Sequence, residues 1–332
     1  MIAPDRPNVL ITSAARKVLL VRAFAEALAS SGSGRVIAAD ISPLAAALYA
    51  ADAGRLIPRS DDPSFIDALL RICDEDRVGL IVPTRDEELP ILARAASRFE
   101  AAGTRVLVSA AEAVDTCRDK RRFVAAVRGA GLTAPAVYDD PAGVSYPAFV
   151  KPRLGKGGRG ATRVDDATAL AAAVEAIQAH GGEALIQAFV EAPEFTVDVF
   201  IDFEGRPISC VPRQRVAVVD GESVVGMTVR DPELAAAAIR LCSAIGLIGH
   251  LTVQAFRTAT EVSFIEINPR YGGAANLGFE AGARTPEYAV RAARGEHLEA
   301  RLDDYEAGLV MLRHSTDLFV REDALLGADD GA

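Results

Sequence analysis

The chain has 332 residues, half of them hydrophobic and a quarter charged, the composition of a folded globular protein with room for two or three subdomains. Its 46 acidic against 36 basic residues leave a net charge of −10, which argues against a general nucleic-acid binder. No apolar run is long enough to cross a membrane, and the opening Met-Ile-Ala-Pro-Asp-Arg-Pro lacks the basic and apolar regions of a secretory signal, so a cytoplasmic location with no membrane partner is expected.

In chain order, Asn8–Thr12 is an apolar strand, and the loop Ser13–Lys17 leads into a helical pattern ending near Ser30. Arg35–Asp40, Leu80–Pro83 and Thr104–Val108 are further strands with helical stretches between them. Strands alternating with helices mean parallel βαβ units, so residues 1–110 form an open α/β domain whose ligands belong at the carboxyl ends of the strands. Those ends carry Ser13–Lys17, Asp40–Ser42 and Thr84–Glu87. No Gly-x-Gly-x-x-Gly follows the first strand, so no dinucleotide site is expected. Ser109-Ala-Ala-Glu112 has the pattern of a capping box, and Asp119–Arg128 is a second helix with Phe123, Val124 and Val127 on one face. Ala148–Lys151, Ala184–Val190 and Phe195–Asp202 are strands, and Asp165 or Asp166 caps a helix through Ile177. Glu204-Gly205 and Asp220-Gly221 mark hairpin turns. Asp231–Ala244 is a helix ending at Gly246, and the residues after about 320 are a frayed tail. The scattered Cys73, Cys117, Cys210 and Cys242 predict neither disulfides nor a zinc site, and the four histidines are expected to be structural or exposed.

Three segments carry chemistry. Leu251–Phe256 and Val262–Ile267 read as paired strands, placing Gln254, Glu266 and Asn268 on one face. Such oxygen donors suit Mg²⁺, and Arg270 just beyond suits a phosphoryl oxygen; a hairpin whose polar side faces water is the plain alternative. Lys151 ends a strand and is followed by Gly155, Lys156, Gly157, Gly158, Arg159 and Gly160. A glycine-rich loop with basic side chains fits nucleotide phosphates, and taken alone it serves equally as an exposed loop. It is not a Walker A loop. Finally, the strand through Gln187, Ala188, Phe189 and Val190 can offer backbone groups to an adenine edge, with Glu191 or Glu194 on a ribose, although a buried strand with a solvated acidic end has the same sequence.

Taken together and in this order, these segments resemble the ATP-grasp superfamily of carboxylate–amine ligases, in particular the ATP-grasp halves of the carbamoyl-phosphate synthetase large subunit and short proteins built like them. The resemblance spans residues 8 to 315 and implies α/β and α+β architecture. A preATP-grasp domain would occupy residues 1–110, a central subdomain with the glycine-rich lid 111–190, a C-terminal subdomain with the metal site 191–320, and a tail 321–332. It implies ATP and Mg²⁺, or Mn²⁺, as cofactors. Lys120 and Lys151 would contact the phosphates, Gly155–Gly160 would form the lid, and Gln187–Val190 the adenine hinge. Gln254, Glu266 and Asn268 would hold metal, and Arg270 would steady the transferred phosphoryl group. Arg213 and Arg215 fall where similar enzymes approach the acyl substrate, and are equally readable as exposed strand charges. Arg16, Lys17, Asp86 and Glu87 point only to polar, zwitterionic substrates. Many family members have Glu where this chain has Gln254; the carbamoyl-phosphate synthetase type has Gln, a weaker Mg²⁺ ligand.

The expected reaction is attack of a carboxylate on the γ-phosphate, giving an acyl phosphate and ADP, and then displacement of phosphate by an amine. Phosphorylation of a small acid or carbamate without ligation shares the same residues, and a non-catalytic nucleotide-binding subunit is the rival from another class. The expected partners are a small-molecule acid and amine, and similar proteins are often homodimers.

Overall fold

The computed structural model describes residues 6–155 and 160–327. Its strands fall into three sheets that follow one another along the chain. The first is wholly parallel, in the order β3-β2-β1-β4-β5, built from β1 (Asn8–Thr12), β2 (Val36–Asp40), β3 (Ala53–Leu56), β4 (Val78–Pro83) and β5 (Arg105–Val106). Helices α1 (Val18–Ser30), α2 (Ala46–Ala50), α3 (Phe65–Glu75) and α4 (Leu89–Ala101) provide its crossovers. β1, β2 and β4 are buried at every position, as expected for strands covered on both faces. The strand order reverses between β1 and β4, and that is where an open parallel sheet leaves a crevice for ligands. The sequence pattern had not revealed β3, which is only four residues long and half exposed.

Helices α5 (Ala111–Arg118) and α6 (Lys120–Gly129) follow. Ser109 does not close the expected capping box; its hydroxyl bonds Ile248 O at 3.2 Å and accepts Ile248 N–H at 3.0 Å, so it ties chain segments together instead. Asp119 does cap α6, accepting from the N–H groups of Arg121 and Arg122. The second sheet, β6-β9-β7-β8, comprises β6 (Val137–Tyr138), β7 (Ala148–Pro152), β8 (Thr162–Val164) and β9 (Ala184–Ala188), with α7 (Ala167–Ala179) packed on it and capped by Asp166.

The third sheet has the order β14-β13-β10-β11-β12-β15, formed by β10 (Glu194–Ile201), β11 (Pro207–Val219), β12 (Glu222–Thr228), β13 (Gly249–Arg257), β14 (Val262–Asn268) and β15 (Val310–Leu312). Asp220 (φ 50°) and Gly221 (φ 77°) make the β11–β12 turn, both in the left-handed region a tight hairpin needs. Helix α8 (Pro232–Ile245) covers one face, capped by Asp231 and stopped at Gly246 with φ 76°. Helices α9 (Asn276–Glu280) and α10 (Thr285–Ala293) complete the α-helices among the described residues.

Packing does not respect sequence order. Phe123, Val124 and Val127 of α6 and Ala113 and Cys117 of α5 join the core of the third sheet and α8, not that of the second sheet. Each large side chain buried there stabilises by roughly 1.5–3 kcal/mol. In the same way Tyr288–Val290, Ala292 and Ala293 of α10, with Tyr271 and Leu298, pack into the core around β1, β2 and α1. The last described residues are not frayed: Leu326 packs against that core, and its N–H bonds the Tyr49 hydroxyl at 3.1 Å. The four cysteines are free and buried, and burial pushes the Cys73 thiol up to about 12, so these are packing residues. Among the described residues no helix is long and apolar enough to cross a membrane.

Candidate active site

Strands β13 and β14 bring the metal candidates together. Gln254 lies directly opposite Glu266, and Thr252 opposite Asn268, with a bulge just beyond Gln254 that re-aims this end of β14. Asn268 Nδ2 donates to Glu266 Oε1 at 3.1 Å and lies 3.4 Å from Gln254 Oε1. Gln254 Nε2 donates to Glu194 Oε1 at 2.7 Å, and Glu194 forms a 3.2 Å ion pair with Arg215. Glu194 therefore sits against the metal candidates, on the neighbouring strand β10, while Glu191 is exposed. The donors are hard oxygens from one or two carboxylates and two amides. That set fits Mg²⁺, which keeps several waters and shares substrate phosphates, better than a cation that needs an all-protein cage. The described residues contain no cluster of three or more His, Cys, Asp or Glu side chains able to hold a metal ion.

Two lysines face the same carboxylate. Lys151, at the end of β7, is buried at 7% exposure, and burial lowers its pKa to about 8 despite the attraction of Glu266; the charge of Lys120 pushes in the same direction. Burial also lowers Lys120, with Glu266 and Asp119 opposing. Lys120 Nζ donates to Gly155 O at 3.0 Å, tethering the start of the glycine-rich loop to α6. Arg153 locks the same corner by a bidentate pair with Asp119, the α6 cap. A cavity of ≈ 140 Å³ opens here, lined by Asp86, Glu87, Lys120, Gly155, Glu266 and Asn268 among others. Lys156, Gly157 and Gly158, expected to complete the phosphate loop, lie outside the described residues. A larger cleft of ≈ 320 Å³, between Arg284, Glu287, Arg291, Arg301 and Asp304, is lined by ion pairs that are already satisfied.

Arg270 is held from the first domain. Its Nε and Nη2 donate to the two oxygens of Asp86 at 2.8 and 2.6 Å, and its Nη1 to Tyr271 O at 3.2 Å. The sequence placed Asp86 among the polar loop residues but could not pair it with a residue 184 positions away. At the hinge, Ala188 N–H is spent on Ala136 O at 2.8 Å, and the Gln187 side chain is buried. Phe189 and Val190 are half-exposed just past β9, with the Arg163 guanidinium 4.8 Å from the Phe189 ring centroid.

Of the substrate candidates, Arg215 reaches the site through Glu194 and also donates to Gly221 O at 2.9 Å. Arg213 is different. It is neither an exposed strand charge nor open to a ligand: its guanidinium is 2% exposed and doubly bonded to Asp198, at 2.7 and 2.9 Å, beside the buried His250. Arg16 is exposed, and Glu87 stands beside Arg85 at 3.3 Å.

Comparison with known proteins accords with this arrangement. Residues 9–107 match the PylC-like N-terminal domain and residues 117–274 the ATP-grasp domain. Residues 117–274, just under half of the chain, thus carry an ATP-grasp domain. The chain is similar to the carbamoyl phosphate synthase large chain of Gemmatimonas aurantiaca, 26% identical over 261 residues, which cover 71% of this chain and 23% of that protein. It thus spans about a quarter of the length of such relatives. A D-alanine–D-alanine ligase of Nitratidesulfovibrio vulgaris is 36% identical over 83 residues, 25% of this chain and 27% of that one. In fold, the chain is similar to the biotin carboxylase domain of Hydrogenobacter thermophilus 2-oxoglutarate carboxylase, solved with MgADP and bicarbonate (TM-score 0.74, 20% identity, 92% of this chain and 73% of that one).

Proposed function

We propose that the protein is an ATP-dependent ligase that joins a carboxylate to an amine through an acyl phosphate, releasing ADP and phosphate. The observation that carries this reading is the convergence of Lys120 and Lys151 on Glu266, which is bonded to Asn268 with Gln254 and Arg270 within 3.4 Å of that asparagine, beside a cavity lined by Lys120, Glu266 and Asn268. Phosphoryl transfer needs little covalent work from a protein; it needs positioning and neutralised charge. Lys120 and Lys151 hold the ATP phosphates, and Arg270, kept in place by Asp86, faces the transferred group. Glu266 and Asn268, with Gln254 as a weaker neutral donor, would hold Mg²⁺, which supplies charge neutralisation of the phosphates when bound. The segment around Phe189 and Val190 receives the adenine. No protein nucleophile is required. The acid and amine are small molecules, and we place the protein in the cytoplasm, where ATP is supplied.

The test is to follow heavy oxygen from a labelled acid. One label in released inorganic phosphate, with ADP as coproduct, supports the reading; AMP and pyrophosphate overturn it. A phosphorylated acid accumulating as the final product favours phosphorylation without ligation, a reading that Gln254 and the carbamoyl phosphate synthase relatives keep open.

A further inference from the structure

Lys17 is an amine without an acceptor. It closes the loop after β1, is partly buried, and makes no side-chain hydrogen bond or ion pair with any described residue. An ammonium is three donors and no acceptor, so leaving it unpaired in a half-buried crevice is costly. Its acidic neighbours already accept other bonds. Glu88, fully buried, accepts from Thr84 N–H (2.7 Å), Arg85 N–H (3.0 Å) and the Ser13 hydroxyl (2.9 Å). Asp40 accepts from Ala15 N–H (2.8 Å) and Ser42 N–H (3.1 Å). Arg85 has Glu87 and Arg270 has Asp86. Burial first, then the nearby Arg270 guanidinium, lower the Lys17 pKa.

The loop that presents Lys17 is built with strain. Ser13 (φ 49°) and Ala15 (φ 44°) both take the left-handed backbone that side chains avoid, a cost that persists only where surrounding bonds enforce it. The Thr84 hydroxyl adds bonds to Thr12 O and Ser13 O, each 2.8 Å, so the loops after β1 and β4 form one rigid wall. They flank the point where strand order reverses. Asp86 links this crevice to Arg270, and Arg270 leads on to Asn268. The charged groups therefore fall into two sets that Arg270 links: Lys120 and Lys151 with Glu266, and Lys17 with Glu88, Arg85 and Asp40.

We infer that Lys17 receives a second anionic group of the acid substrate, so the preferred acid carries two anionic groups, as a dicarboxylate or a phosphorylated acid does. One carboxylate lies at Arg270 for activation while the other group is anchored in the β1/β4 crevice. This rests on the ligase reading above, and it deepens that reading by giving the acid its charge and its orientation.

The test is melting of the protein with Mg²⁺ and a non-hydrolysable ATP analogue, then with added probe acids matched in length. Glutarate and 3-phosphoglycerate are set against butyrate and glycerate, in wild type, Lys17→Met and Lys17→Arg. The two acids with a second anionic group are expected to bind wild type at least tenfold more tightly than the partners that lack it. Lys17→Met loses that preference and Lys17→Arg keeps it. The relative affinity of glutarate and 3-phosphoglycerate separates a carboxylate from a phosphate as the second group. Because the Lys17 side chain bonds no described residue, both variants should fold and keep the nucleotide-induced shift. Equal binding with and without the second anionic group, binding of no probe, or full affinity for the doubly anionic acids in Lys17→Met overturns the inference while a persisting nucleotide shift leaves the ligase reading standing. Loss of the nucleotide shift in wild type removes both.

Discussion

Affinity for ATP should fall as pH rises through 8, because Lys151 loses its proton there. Burial holds this lysine at about 8 in the nucleotide-free protein, against an ordinary 10.5. The sign follows from proton counts. Between those two values the unfolded chain binds more protons than the folded one, so the stability of the free protein rises with pH across that window and carries the full cost of the buried charge below it. ATP acts in the opposite sense: phosphates favour the ammonium, so binding takes up a proton once Lys151 is neutral. From pH 7 to 9 the charged fraction falls from about 0.9 to about 0.1, which weakens ATP binding roughly tenfold, about 1.4 kcal/mol. The lowered Lys120 adds to the same trend. Calorimetric titration with Mg-ATP at pH 8, in buffers of different ionisation enthalpy, should report an uptake of about half a proton. Lys151→Met should bind weakly, with that uptake sharply reduced. A flat affinity between pH 7 and 9, or undiminished uptake in Lys151→Met, refutes the argument.

Other outcomes follow from the same geometry. Mg-ATP at about a hundred times its Kd should stabilise the protein by about 2.7 kcal/mol, with the shift largely lost in Lys151→Ala; melting curves decide this. Glu266→Gln conserves shape and removes the main anionic metal ligand, so ADP release should cease while circular dichroism and melting stay near wild type; wild-type rates would remove Glu266 from the site. Arg213→Met leaves Asp198 charged and buried, and should cost about 3–5 kcal/mol in urea unfolding. Burial alone would raise Asp198, but Arg213 and His250 more than offset it and hold it below the ordinary value, so its stabilisation is present at neutral pH and lost as pH falls through the folded value. Asp86→Ala frees Arg270, and should lower kcat at least tenfold while the Mg-ATP melting shift is retained; an unchanged kcat would mean that Asp86 does not position it.

Local pattern carried much of this protein. Alternating strands and helices identified the parallel first domain, because a βαβ repeat can only be packed that way. The pairing of Gln254 with Glu266 was legible because a strand's period of two places i and i+2 on one face and a short polar turn joins the two strands. Asp166 was a recognisable helix cap, since a cap acts within three residues of itself, and Asp119 and Asp231, read only as the first residues of their helices, cap them as well. Ser109 had the same local signature and served another purpose, because Ile248 offered its hydroxyl both a donor and an acceptor.

The sequence by itself marked most strands and helices, the candidate metal and phosphate residues, and the ATP-grasp domain, since each depends on side chains a few positions apart. Tertiary structure alone decided which core each helix serves. Helices α5 and α6 belong to the third sheet and α10 to the first domain, because an apolar face specifies only that it be buried, not against what. It also decided the fate of individual charges. Arg213 is sealed on Asp198, Arg270 is clamped by Asp86, and the Lys17 ammonium has no hydrogen-bond partner among the described residues. The partner of a charge is set by long-range strand and loop placement, which no residue's near neighbours encode.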